Sequence, residues 1–188
     1  GYQELTDILG PKAHIRFVTP TGVVAGFIFE DSGHSGFVYQ NGKVTRLTPP
    51  ERAVSSLGFA VSDDGRVAAG TAGMQNLIDG IDKRHIKSLA IWEEGRPVFF
   101  ADTLDLFEPA VRGITPDGSG VAAMGALTSV LLCPPGSPGQ GDPNCRGSLS
   151  DLYVENGRPR QLRTGRLEAM STDGLRLLDG SRLIDSRG

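Results

Sequence analysis

Four short segments of this chain share one pattern, and it constrains the fold more than any other feature. They are Thr19-Pro20-Thr21-Gly22, Ser62-Asp63-Asp64-Gly65, Thr115-Pro116-Asp117-Gly118 and Ser171-Thr172-Asp173-Gly174. Each places a hydroxyl three residues before a glycine, with Asp or Thr between. An apolar residue precedes each segment: Val18, Val61, Ile114 and Met170. Small and apolar residues follow, as in Val23-Val24-Ala25-Gly26 and Val67-Ala68-Ala69-Gly70. Glycine supplies the positive φ of a tight hairpin, and the hydroxyl or carboxylate can bond back onto the turn. Each segment therefore predicts a strand, a turn and a second strand.

A second hairpin recurs between these. Phe37-Val38-Tyr39-Gln40-Asn41-Gly42 leads to Leu47, Ala90-Ile91-Trp92-Glu93-Glu94-Gly95 leads to Phe100, and Leu152-Tyr153-Val154-Glu155-Asn156-Gly157 leads to Leu162. The apolar landmark stands five residues after the glycine in every copy. One unit is thus two hairpins, or four antiparallel strands. The first glycines of successive units lie 43, 53 and 56 residues apart. Four-stranded units at roughly 40–50 residues mark propeller blades. Gly and Pro fit this reading: 26 and 12 of 188 residues make about 20%, against roughly 12% in average usage.

The termini complete the pattern. The fourth unit has its first hairpin at Ser171–Gly180 and a third strand at Arg182–Asp185, with no fourth strand before Gly188. Joined to Gly188, Leu5 falls five residues on, in the register of Leu47, Phe100 and Leu162. The expectation is an all-β chain forming a single four-bladed propeller. Its blades would be residues 8–48, 49–101, 102–163 and 164–188 plus 1–7, the last closed by the N-terminal strand Tyr2–Thr6. Such closure removes sheet edges that otherwise aggregate.

The paired hairpins resemble the HAF family of extracellular bacterial repeats. Ser35-Gly36-Phe37-Val38-Tyr39, Ser88-Leu89-Ala90-Ile91-Trp92 and Leu5-Thr6-Asp7-Ile8-Leu9-Gly10 carry the likeness, with Ser35 and Ser88 where the family has His. The resemblance runs over nearly the whole chain. It implies a secreted, periplasmic or surface β-propeller and no particular activity.

Cys133 and Cys145 are the two cysteines, separated by eleven residues without an apolar side chain. That segment cannot pack on itself. An even cysteine count in a chain of extracellular character predicts a disulfide, worth roughly 3 kcal/mol in the chain-entropy account. The histidines are His14, His34 and His85, without metal-ligand spacing. The Asp-Gly turns lack the ligand series of a calcium loop, so neither metal nor cofactor is expected. No nucleophile elbow, phosphate loop or dinucleotide fingerprint occurs. The paired acids Glu30-Asp31, Asp63-Asp64 and Glu93-Glu94 read as solvated strand ends and turns. A net charge of −3 gives no basic excess for nucleic acid. No apolar run approaches the ~18 residues of a membrane span.

Two placements bear on binding. Counting back three residues from each turn hydroxyl gives Arg16, Phe59, Arg112 and Glu168. First strands line a propeller axis, so these four should converge there, beside Val18, Val61, Ile114 and Met170. Charge in that position is costly unless paired or wet. Either Glu168 bridges the arginines, or the set is a funnel for a small anionic or polar ligand. The long loops Gly73–Lys87 and Leu127–Ser150 gather on one rim, where such folds usually bind, while the other rim carries tight turns. The function expected is a monomeric, non-catalytic binding or interaction module, extracytoplasmic, for a protein, glycan or small anionic ligand. The alternative is a hydrolase with its site in the long-loop rim, which rests on fold analogy.

Overall fold

The turn hydroxyls organise the local structure. In a computed structural model, residues 5–31, 33–51, 53–74, 77–78, 81–82, 87–101, 107–126, 149–162, 167–171, 173, 176–179 and 182–185 are described. Thr19 Oγ1 accepts the Val23 N–H at 3.0 Å, Ser62 Oγ that of Val67 at 3.0 Å, Thr115 Oγ1 that of Gly120 at 2.8 Å, and Ser171 Oγ that of Arg176 at 2.9 Å. The last three hydroxyls donate to Asp64, Asp117 and Asp173 at 2.6, 2.6 and 2.5 Å. In the first copy Thr21 stands in for the aspartate, 2.8 Å from Thr19. Gly22, Gly65 and Gly118 have φ of 84°, 74° and 75°. In the second hairpins Asn41-Gly42, Glu94-Gly95 and Asn156-Gly157 are left-handed at both positions, as a two-residue loop matched to strand twist requires.

These turns build four antiparallel sheets in chain order. The first is β1 (Ala13–Val18), β2 (Val24–Glu30), β3 (Gly33–Gln40) and β4 (Lys43–Arg46). The second joins β5 (Ala53–Val61) and β6 (Val67–Met74) to β9 (Lys87–Glu93) and β10 (Arg96–Phe100). A small ladder, β7 (Leu77–Ile78) with β8 (Ile81–Asp82), interrupts it. The third is β11 (Phe107–Ile114), β12 (Gly120–Ala126), β13 (Leu149–Glu155) and β14 (Arg158–Leu162), and the fourth β15 (Leu167–Met170), β16 (Arg176–Asp179) and β17 (Arg182–Asp185). Among the described residues no helix is long and apolar enough to cross a membrane.

The expected closing strand is corrected at its C-terminal end. Leu5–Leu9 is a helix, α1, and among the described residues nothing pairs with β17 beyond β16. Residues 2–4 lie outside the described set. Leu5, Ile8 and Leu9 have helical spacing, which brings Leu5 and Leu9 onto one face. Both pack against Val24, Ile28, Phe37 and Tyr39 of the first sheet. Leu5–Leu9 is thus anchored on the first sheet.

The core lies between successive sheets. Val23, Ala25 and Val38 of the first meet Val61, Ala68 and Trp92 of the second. Ala69, Leu89 and Ile91 of the second meet Ile114, Val121 and Val154 of the third. Ala122 and Tyr153 of the third meet Leu167 and Leu177 of the fourth. At each junction the residue before the turn hydroxyl reaches back toward the preceding sheet: Val61, Ile114 and the half-buried Met170. Val18, the corresponding residue of the first sheet, is 58% exposed.

Polar links add direction to this packing. Thr21 Oγ1 donates to the Asp63 carbonyl at 2.6 Å, and the Asp63 N–H to the Pro116 carbonyl at 2.9 Å, so three turns are joined along one rim. Buried Ser56 accepts the Gly36 N–H and donates to the Leu47 carbonyl. Asp151, 1% exposed, accepts the Leu167 N–H at 2.9 Å, tying the fourth sheet to the third. Asp151→Ala strands that buried N–H and should lower unfolding free energy by about 2 kcal/mol, within the range for hydrogen bonds to charged groups. Urea denaturation reads it.

Candidate functional site

The four residues expected at the axis share a backbone feature that the repeat alone did not announce. Each occupies a β-bulge in the first strand of its sheet. The register slips between Ile15 and Phe17, Gly58 and Ala60, Val111 and Gly113, and Leu167 and Ala169. Arg16, Phe59, Arg112 and Glu168 are the residues skipped. A bulge leaves one residue outside the ladder and re-aims its side chain. Arg16 is exposed and its guanidinium lies over Phe27, 5.3 Å from the ring centroid. Arg112 is half-buried and places Nη2 3.7 Å from Met124 Sδ. Phe27 and Met124 are equivalent positions in β2 and β12, one residue beyond Gly26 and Ala123 in the pairing. So each arginine rests on its own sheet in the same way. Phe59 is half-buried and Glu168 exposed. Among the described residues no ion pair joins Glu168 to either arginine.

A concavity opens between the second and third sheets. This cleft of about 540 Å³ has an apolar floor of Val67, Ile91, Phe99, Val121 and Val154. Its rim carries Arg66, Glu93, Asp117, Ser119 and Asn156. All five rim residues come from the ends of strands at hairpin turns, because both hairpins of a unit turn at the same rim. The cleft therefore opens on the tight-turn rim, opposite the one expected to bind. The long loops of that other rim fall largely outside the described residues, as do Cys133, Cys145 and His85.

The rim charges are committed to one another and to the turns. Arg66 pairs with Glu93 across the β6–β9 ladder and with Asp64 at 3.6 Å. Asp117 accepts from the Thr115 hydroxyl at 2.6 Å and from Ser119 N–H and hydroxyl at 3.0 and 2.8 Å. Those bonds, that of Thr115 foremost, pull its carboxyl down from 3.8 to about 2. For Asp64 a slight burial acts upward, and bonds from Ser62 and Arg66 with the Arg66 charge outweigh it, so its carboxyl is also lowered. Carboxyls depressed in the fold add stability that is present above their unfolded value and lost as pH falls through the folded one. Unfolding free energy should therefore decline from pH 4 toward about 2. In Asp117→Asn that decline should be shallower, which urea titrations at several acid pH values would detect.

No family model and no curated protein sequence matches this chain. Among solved structures it is similar to Kuenenia stuttgartiensis hydrazine synthase, with a TM-score of 0.51, 15% identity, and 89% of this chain covering 51% of that one. It also matches TolB from Acinetobacter baumannii, with a TM-score of 0.46, 14% identity, and 86% of this chain covering 36% of that one. The chain thus spans about half the length of the first and about a third of the second. At such identity the likeness to the first is one of fold alone.

Proposed function

We propose that the four sheets are blades of one four-bladed β-propeller of the HAF kind, and that it works outside the cytoplasm as a non-catalytic binding module. The cleft between the second and third sheets carries this reading. An apolar floor with a few polar groups at its rim is the usual make-up of a recognition site. A general acid or base works best with a pKa near the operating pH, and Asp117, held at about 2, is far from that. Glu93 is held in its ion pair with Arg66. The Asp117 charge, fixed in this way, serves to orient a ligand. The ligand classes that suit the site are a protein segment or a glycan with one apolar face.

The test is a screen of glycan and peptide arrays with the wild-type chain and with Ser119→Trp, which crowds the rim. Retention by the wild type, reduced about tenfold or more in the variant while unfolding stays cooperative, is the expected result. Equal retention by both would remove the cleft from the account. Turnover of glycoside, ester or phosphate substrates, abolished in Glu93→Gln, would replace it with a hydrolase.

The extracytoplasmic setting has its own check. Cys133 and Cys145 should be bonded to each other, so intact mass without reductant should fall two hydrogens below the reduced mass. Two titratable thiols in the native protein would contradict both the bond and the compartment.

A further inference from the structure

Four aromatic rings lie together on one face of the first sheet, at the end away from its hydroxyl turn. His14 pairs with Phe27 across β1 and β2, and Phe29 with His34 across β2 and β3. His14 is stacked on Phe27 at 5.3 Å and stands edge-on to Phe29 at 4.7 Å. His34 meets Phe27 at 5.4 Å and Phe29 at 4.7 Å. Arg16 adds its guanidinium over Phe27. Phe27 is 3% exposed, whereas Phe29 is 41% exposed, and His14 and Arg16 are exposed beside it. The rings form a supported platform whose outer part is in water, not a core.

We infer that this platform binds an acidic carbohydrate, with a sugar ring on Phe29 and a carboxylate on Arg16. A pyranose has a face of C–H bonds that lies well on an aromatic ring and an edge of hydroxyls. The exposed imidazole of His14 has nitrogens that can donate or accept a hydrogen bond to such hydroxyls. Arginine presents a planar fork that matches a carboxylate with two parallel bonds. A cation is a poor occupant, because Arg16 already takes the π-face of Phe27. A wholly apolar partner would desolvate the guanidinium without compensation. An acidic peptide satisfies the charge but has no flat C–H face for Phe29. The site lies on the first sheet, apart from the cleft between the second and third, and stands or falls independently of it.

The experiment is calorimetric titration of the full chain with trimers of galacturonic, mannuronic and guluronic acid. Galactotriose and tetraglutamate serve as comparators. At least one acidic trimer should bind, about tenfold or more tighter than either comparator. Phe29→Ser and Arg16→Gln should each weaken that binding about tenfold or more, Arg16→Gln at an unchanged melting temperature because its side chain is exposed, and Phe29→Ser with unfolding still cooperative. Failure of all three acidic trimers at concentrations near 10 mM would overturn the inference. So would tetraglutamate binding as tightly as the sugars, which reduces the site to its charge, or binding indifferent to both substitutions.

Discussion

Trp92→Ala should destabilise the chain by about 4 kcal/mol, in the range found when a buried aromatic is truncated. Trp92 is completely buried between the first and second sheets, against Val23, Ala25, Val61 and Ala68. Its Nε1 donates to the Thr48 carbonyl at 2.7 Å, on the segment that leads from one sheet to the next. The variant loses both the volume and the bond. Trp92→Phe keeps one aromatic ring but loses part of the indole volume together with the donor to the Thr48 carbonyl, so an intermediate loss of about 2 kcal/mol is expected. Since typical domains are stable by only about 5–15 kcal/mol, the alanine variant consumes much of the total. Trp92 is the single tryptophan, so circular dichroism must follow the unfolding. A loss under about 1 kcal/mol for alanine would mean that the first two sheets do not pack through this residue.

Gly70→Ala should cost about 3 kcal/mol, at the upper end for overpacking. A Cβ there would stand 1.8 Å from the Leu57 carbonyl oxygen. At the equivalent place in the first sheet, a Cβ on Gly26 would stand 2.0 Å from the His14 carbonyl. In both sheets the bulge turns a first-strand carbonyl toward the second strand, and no rotamer can relieve a clash with backbone. The third sheet has Ala123 in this register, and there β11 has a further irregularity between Phe107 and Ala110. Gly42→Ala is the comparison. Nothing lies within 4 Å of its Cβ, but φ is +81°, so about 1 kcal/mol of backbone strain is expected. Thermal unfolding of the two variants should rank them in that order.

The hairpins were legible because their chemistry acts over a few residues. A hydroxyl bonded to the N–H four or five positions on leaves the same mark in all four copies, and Gly22, Gly65 and Gly118 add a positive φ. The bulges were not legible. Arg16, Phe59, Arg112 and Glu168 share no side-chain chemistry, and a one-residue slip is invisible to alternation. Leu5 was misread because its distance from Gly188 matched the repeat, while Leu5, Ile8 and Leu9 already had helical spacing. The cleft on the tight-turn rim was not legible either, for a different reason. Arg66 and Glu93 lie 27 residues apart, so their pairing appears only once β6 and β9 are aligned. The aromatic platform has the same character, since His14, Phe27 and His34 come from three strands.

The central claim is that four copies of one hydrogen-bonded turn hold sheets stacked in chain order. Native-state amide hydrogen exchange followed by NMR tests it most directly. The N–H groups of Val23, Val67, Gly120 and Arg176, bonded to the four repeat hydroxyls, should all be protected. So should the N–H of Asp63, which belongs to a turn yet donates to Pro116 of the next sheet. Protection of the strands and of the four turn N–H groups with Asp63 exchanging at free-peptide rates would contradict the claim, because the hairpins would then exist without the stacking described.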